Sequence, residues 1–122
     1  MKTGLITRAL AAGIVGLLAA QSVSAANNYS TAFITISNLV FYSVSDDVYP
    51  QYAGAVAVYL AKPITWQFGN NCSTTAVAIR SGDKPLMTAV ETALATGRPV
   101  QLFVDDSQTV DGVVCYLRAI EM

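Results

Sequence analysis

The chain has no histidine. With it go the commonest general base, the commonest zinc ligand and every Ser–His or Cys–His nucleophile arrangement. Charge is scarce too: 12% of residues are charged against 53% hydrophobic, which argues against a disordered tail. Eight glycines and four prolines in 122 residues are too few for a low-complexity linker. No Cys-x-x-Cys spacing is present, so neither a redox pair nor a zinc site is readable, and no cofactor is expected. These absences favour a binding or structural domain over an enzyme.

The first 25 residues have the pattern of an export signal. Lys2 and Arg8 form a positive start, and Ala9 to Ala20 is a 12-residue apolar stretch. That is short of the roughly 20 residues a membrane-spanning helix needs. Val23-Ser24-Ala25 offers small residues at the −3 and −1 positions, so cleavage is expected between Ala25 and Ala26. Residues 1–25 are then a signal peptide of bacterial type and residues 26–122 a single exported domain, periplasmic or secreted, with no transmembrane anchor. Losing Lys2 and Arg8 leaves five basic against eight acidic residues, a net charge of −3. Nucleic acid, which requires Lys and Arg to neutralise phosphates, is excluded as a partner on that balance. The sequons Asn28-Tyr29-Ser30 and Asn71-Cys72-Ser73 read as accidental in a bacterial chain.

Cys72 and Cys115 both survive cleavage, and in an oxidising space an even pair is most simply a disulfide. Around them the hydrophobic pattern alternates at strand period. Ala32 to Val44 is rich in β-branched and aromatic residues, with a bend or bulge expected at Ser37-Asn38. Gly54 to Leu60 and Thr74 to Arg80 are the second and third strands. Leu86, Met87, Val90, Ala93 and Leu94 then fall on one helical face. Asp83 can cap that helix, Pro85 fits its first turn, and Gly97 with Pro99 supplies the stop. Val100, Leu102 and Val104 alternate along a fourth strand, Asp111-Gly112 marks a turn, and Val113 to Ile120 is a fifth. The class is mainly β with one helix. The order strand–strand–strand–helix–strand–strand fits a five-stranded OB-fold-like Greek-key barrel. The alternative is an open α+β sheet with the helix on one face; closure is preferred because it leaves no edge strand.

Two segments carry a family resemblance. Thr96-Gly97-Arg98-Pro99-Val100, ending an alanine-rich helix and opening a strand, resembles the matching segment of subtilase cytotoxin B subunits, which belong with the pertussis-like toxins. Tyr29-Ser30-Thr31-Ala32-Phe33-Ile34-Thr35 resembles the opening of that subunit's first strand, and Cys72 precedes the Gly97 turn at nearly the family's spacing. The resemblance implies an OB-fold, a homopentameric ring and binding of sialylated glycans. It places the family's sugar-contacting serine on Ser30. The family's strand tyrosine falls on Val104, which has no hydroxyl to offer, and the partner of Cys72 is Cys115 rather than an earlier cysteine.

The residues themselves suggest a contact surface. Tyr42, Tyr49 and Tyr52 lie in or beside an acidic loop with Asp46 and Asp47. Aromatic faces stack on sugar C–H groups while carboxylates accept from hydroxyls; turn chemistry at Tyr49-Pro50 with half-packed rings is the plainer account. Trp66 and Phe68 could form a similar surface, although a lone Trp in so small a domain is most simply core. Asp105, Asp106 and Asp111 do not match a calcium loop and read as a solvated hairpin tip. The candidate ligand-binding residues are therefore Ser30, Asp46, Asp47, Tyr49, Tyr52 and Trp66. No catalytic or metal-ligating residue is assigned. The expected partner is a sialylated or other glycan, bound by a homo-oligomer, or else another protein met by a monomer.

Overall fold

The computed structural model describes residues 27–122; the export segment and its cleavage site lie outside the described residues. The elements are β1 (Asn28–Tyr29), β2 (Ile36–Phe41), a 3-10 turn (Pro50–Tyr52), β3 (Val56–Leu60), β4 (Ala76–Ile79), α1 (Lys84–Thr96), β5 (Gln101–Thr109) and β6 (Cys115–Glu121). They make one mixed sheet in the order β1-β5-β6-β4-β3-β2, antiparallel throughout except where β4 runs parallel to β6. The class is mainly β with a single helix among the described residues.

The sheet has six strands where the alternation predicts five. The predicted first strand, Ala32 to Val44, is shorter in the structure, Ile36–Phe41, and the sixth strand is the short Asn28–Tyr29 ahead of it, which pairs with a different neighbour. β1 pairs with β5, and β2 pairs with β3. Between them Thr31 N–H turns aside to Thr65 O, while Ile34 pairs with Val100 through both its N–H and its C=O, each at 2.8 Å. The expected bulge is found: the β2–β3 register shifts between Ile36 and Asn38. There Ser37 Oγ donates to Tyr59 O at 3.1 Å, so a side chain stands in for a lost ladder bond.

The helix follows its punctuation. Asp83 occupies the N-cap position without a side-chain bond, Pro85 lies in the first turn, and Gly97 closes the end in the left-handed conformation at φ 69°. Glycine alone takes that φ without Cβ strain, which is why the helix stops there. Val90 and Ala93 are fully buried, and Leu86, Met87 and Leu94 pack beside them. That face rests on β2 and β6. Under it lie Val56, Val58, Leu60, Val77, Ile79, Leu102, Val104 and Leu117, the inward residues of four strands.

The other face of the sheet is covered as well. Ala57 and Ala78 point away from the main core yet are buried, under a second cluster of Tyr52 and Val110 with Tyr42, Val40, Val114 and Tyr116 around them. The adjacent strands β3 and β4 are therefore covered on both faces around Ala57 and Ala78, whose small side chains make room for rings, while Tyr59 further along β3 is exposed.

Cys72 and Cys115 form a disulfide, with Cα atoms 5.4 Å apart. It ties the segment before β4 to the first residue of β6, beside the only parallel pairing among the described residues, whose register rests on Ala78 opposite Tyr116. Parallel pairs are the weaker kind, so the covalent tie falls where the sheet most needs one. The bond is compatible with export, and no helix among the described residues is long and apolar enough to cross a membrane. Replacing both cysteines by serine should lower the unfolding free energy by about 3–4 kcal/mol, read from urea denaturation. A loss below about 1 kcal/mol would mean that non-covalent packing alone holds the seam.

Candidate functional site

The acidic loop between β2 and β3 is a folded unit. Ser43 O accepts the N–H groups of Asp46 at 3.1 Å and Gly54 at 3.0 Å, closing the loop at its neck. Asp46 Oδ1 accepts the N–H groups of Val48 at 3.0 Å and Tyr49 at 2.6 Å, an Asx turn that fixes the outer bend. Gly54 sits at φ +75°, and a Cβ there would lie 2.5 Å from Ser81 Oγ. Only glycine lets the loop pass that close to the turn before the helix.

Three tyrosines are mounted on this frame. The Tyr52 ring stacks on Tyr42 with centroids 4.7 Å apart, and Tyr49 meets Tyr42 edge-on at 6.4 Å. Tyr52 Oη donates to Asp111 Oδ2 at 2.9 Å, tying the loop to the β5–β6 hairpin tip. Burial, and then the bond to Asp111, push the Tyr52 hydroxyl well above the usual tyrosine value. Burial alone would raise Asp111 too, but the N–H groups of Val114 and Val113 and the Tyr52 hydroxyl outweigh it and hold the carboxyl below its usual value. Tyr42 is raised chiefly by burial, with smaller contributions from Tyr59, Tyr49 and Asp46.

The six candidate residues fall in two places. Asp46, Asp47, Tyr49 and Tyr52 share the loop. Asp46 and Tyr52 are taken up in holding it, whereas Asp47 and Tyr49 are exposed. Ser30 and Trp66 lie elsewhere, opposite each other across an isolated antiparallel bridge. Ser30 is completely buried, its Oγ accepting Leu102 N–H at 3.0 Å and its carbonyl accepting from Gln101 Nε2 at 2.9 Å. Trp66 is buried in the main core, its Nε1 donating to Ser73 O at 3.2 Å, while its neighbour Phe68 is exposed.

The hairpin aspartates turn in three directions. Asp105 takes the N–H and hydroxyl of Ser107, Asp106 takes the Asn28 side chain, and Asp111 takes Tyr52. Asp111 is the member of the tyrosine cluster that reasoning along the chain misses. It lies 59 residues from Tyr52, and a hairpin-tip aspartate has no local signal of such a partner.

No protein-family model, no curated protein and no solved structure matches the chain. The β2–β3 loop presents Val44, Val48 and Tyr49 at 82%, 73% and 53% exposure, with Asp47 beside them. The loop is held by its own hydrogen bonds, and it offers one exposed aromatic ring, an exposed carboxylate and apolar side chains to solvent.

Tyr52→Phe should cost about 1 kcal/mol near neutral pH through the lost hydrogen bond to Asp111. The Asp111 contribution is present above the unfolded carboxylate value of about 4 and is lost as pH falls through the lower folded value. The Tyr52 contribution is present below about pH 10 and is lost as pH rises through the higher folded value. The difference in Tm between wild type and variant should therefore be flat from about pH 5 to 9 and shrink outside that window. Ser30→Ala should cost about 1–3 kcal/mol in thermal or urea unfolding, because it leaves Leu102 N–H buried without a partner.

Proposed function

We propose that this chain is an exported, non-enzymatic binding domain that recognises a carbohydrate through the β2–β3 loop. The observation that carries the reading is Tyr49: half-exposed, backed edge-on by Tyr42 and held by the Asp46 turn, next to the free carboxylate of Asp47. A fixed aromatic face beside a hydrogen-bond acceptor suits the C–H face and hydroxyls of a sugar ring, and little ordering entropy remains to be lost on binding. Asp46, Tyr52 and Tyr42 position that platform. Ser30 and Trp66 belong to the scaffold in this reading, since neither presents surface to a ligand.

The same proposal covers the finer architecture. β1 and β2 lie on one continuous path from Asn28 to Phe41 that begins against β5 and ends against β3, and the reciprocal Ile34–Val100 bonds stand where it changes partner. The two ends of the strand order are thus the same stretch of chain. This supports an OB-fold-like closed barrel, with α1 between the third and fourth strands of that count. In such barrels the loop after the first strand and the loop between the last two strands flank the ligand face. Here those are the tyrosine loop and the Asp111 hairpin, joined by the Tyr52–Asp111 bond.

A homo-oligomer would make weak single sites effective through avidity. Protein contact is the second reading, favoured by the exposure of Val44 and Val48 beside Tyr49. Tyr49→Ala separates a binding role from a structural one: retention on a glycan array should be lost while Tm stays within about 1 °C, because an exposed ring contributes little to folding. Unchanged glycan retention in this variant would remove the loop from the proposal. The native mass of the oxidised protein separates the two readings. About five subunits is expected for the glycan reading, and a single subunit would move the conclusion to a protein partner.

A further inference from the structure

A second concavity lies apart from the tyrosine loop, at the start of the described chain. It is an open cavity of about 440 Å³ lined by Asn27, Phe68, Gly69 and Asp106. That volume is in the range of small-ligand clefts. Its walls are set by Asn28, whose side chain is completely buried and uses its full hydrogen-bonding capacity. Oδ1 accepts the N–H groups of Tyr29 at 2.9 Å and Phe68 at 3.0 Å. Nδ2 donates to Phe68 O at 2.8 Å and to Asp106 Oδ2 at 3.2 Å. One buried amide therefore grips both main-chain groups of Phe68 and one oxygen of the Asp106 carboxylate.

The lining has a definite chemistry. Phe68 is 55% exposed and is mounted edge-to-face on Tyr29 at 5.9 Å, which in turn leans on Phe103 at 5.8 Å. Asp106 Oδ1 carries no hydrogen bond from any described residue, and no described Lys or Arg pairs with this carboxylate. Arg118 is engaged by another lining residue, its Nη2 donating to Asn27 Oδ1 at 2.7 Å. A carboxylate that no described Lys or Arg pairs, beside an exposed phenyl ring on a domain of net negative charge, selects for positive charge carried on an apolar body. An anion would meet Asp106, and a purely apolar ligand would leave it desolvated and unpaired.

We propose that this cleft is a site for a small organic ammonium ion, primary or quaternary, with its charge toward Asp106 and its carbon groups against Phe68. The site shares no residue with the tyrosine loop and does not depend on the carbohydrate reading.

The test uses the purified oxidised protein and amide NMR titration with choline, tetramethylammonium and a primary alkylamine, against 3,3-dimethyl-1-butanol as the uncharged isostere of choline. Shifts are expected at Asn27, Gly69 and Asp106 with the cations and not with the alcohol. Asp106→Asn keeps an acceptor for Asn28 and removes the charge, so affinity should fall at least about tenfold. Gly69→Leu fills the cavity: nothing lies within 4 Å of a Cβ there, and the backbone is outside the left-handed region. It should abolish the shifts while leaving Tm unchanged. Cosedimentation with phosphatidylcholine vesicles, lost in Asp106→Asn, would assign the ammonium to a lipid headgroup; binding of free choline alone would assign a soluble ligand. Equal response to the alcohol, shifts that persist in Gly69→Leu, or no response to any ammonium would overturn the proposal. Tyr49→Ala should leave these titrations unchanged, so failure here and failure of the loop reading are told apart.

Discussion

Burial of the adjacent strands β3 and β4 on both faces around Ala57 and Ala78 is the constraint on which the rest of this structure depends. Val58, Val77 and Ile79 face the helix, and Ala57 and Ala78 face the other way, yet all are buried. A short antiparallel sheet usually leaves one face to water. Here the loop after β2 folds back and lays Tyr52 and Tyr42 over the alanines. The apolar area gained adds to a core that a domain of this length otherwise struggles to fill. The alanines matter because a larger outward side chain would lift the rings away.

That arrangement makes the loop part of the fold and thereby makes its tip rigid. Tyr52 is held by stacking from below and by Asp111 from the side, Asp46 is spent on the backbone of Val48 and Tyr49, and Gly54 lets the neck pass against Ser81. What remains to meet solvent is Tyr49, Val48, Val44 and Asp47. Structural and recognition roles are thus divided within one short segment, between residues that look alike in the sequence.

Polar staples do similar work at the opposite end of β5. Asn28 and Ser30 are the two fully buried polar residues among those described, and each completes main-chain bonding where the first strand is too irregular for a ladder. An unsatisfied group in either place would cost more than a typical hydrogen bond contributes, so both side chains are required as they stand.

Much of the fold was legible along the chain because its causes are local. The helix from Lys84 to Thr96 follows from Pro85, Gly97 and an apolar stripe at helical spacing, and the alternation of Val100, Leu102 and Val104 marks β5 and its buried side. The bulge at Ser37-Asn38 and the pairing of Cys72 with Cys115 were readable for the same kind of reason, a residue type with few structural roles. Tertiary structure alone decided that Asn28–Tyr29 forms a further strand against β5 and that the Ser30 hydroxyl is consumed by Leu102. It alone turned Phe68 outward and brought Asp111 to Tyr52. Each of these depends on which distant segment covers a given face. Hydrophobic period tells a strand from a helix, but it carries no information about what lies across a sheet, so the same tyrosine or serine reads alike as scaffold and as site until its partner is in place.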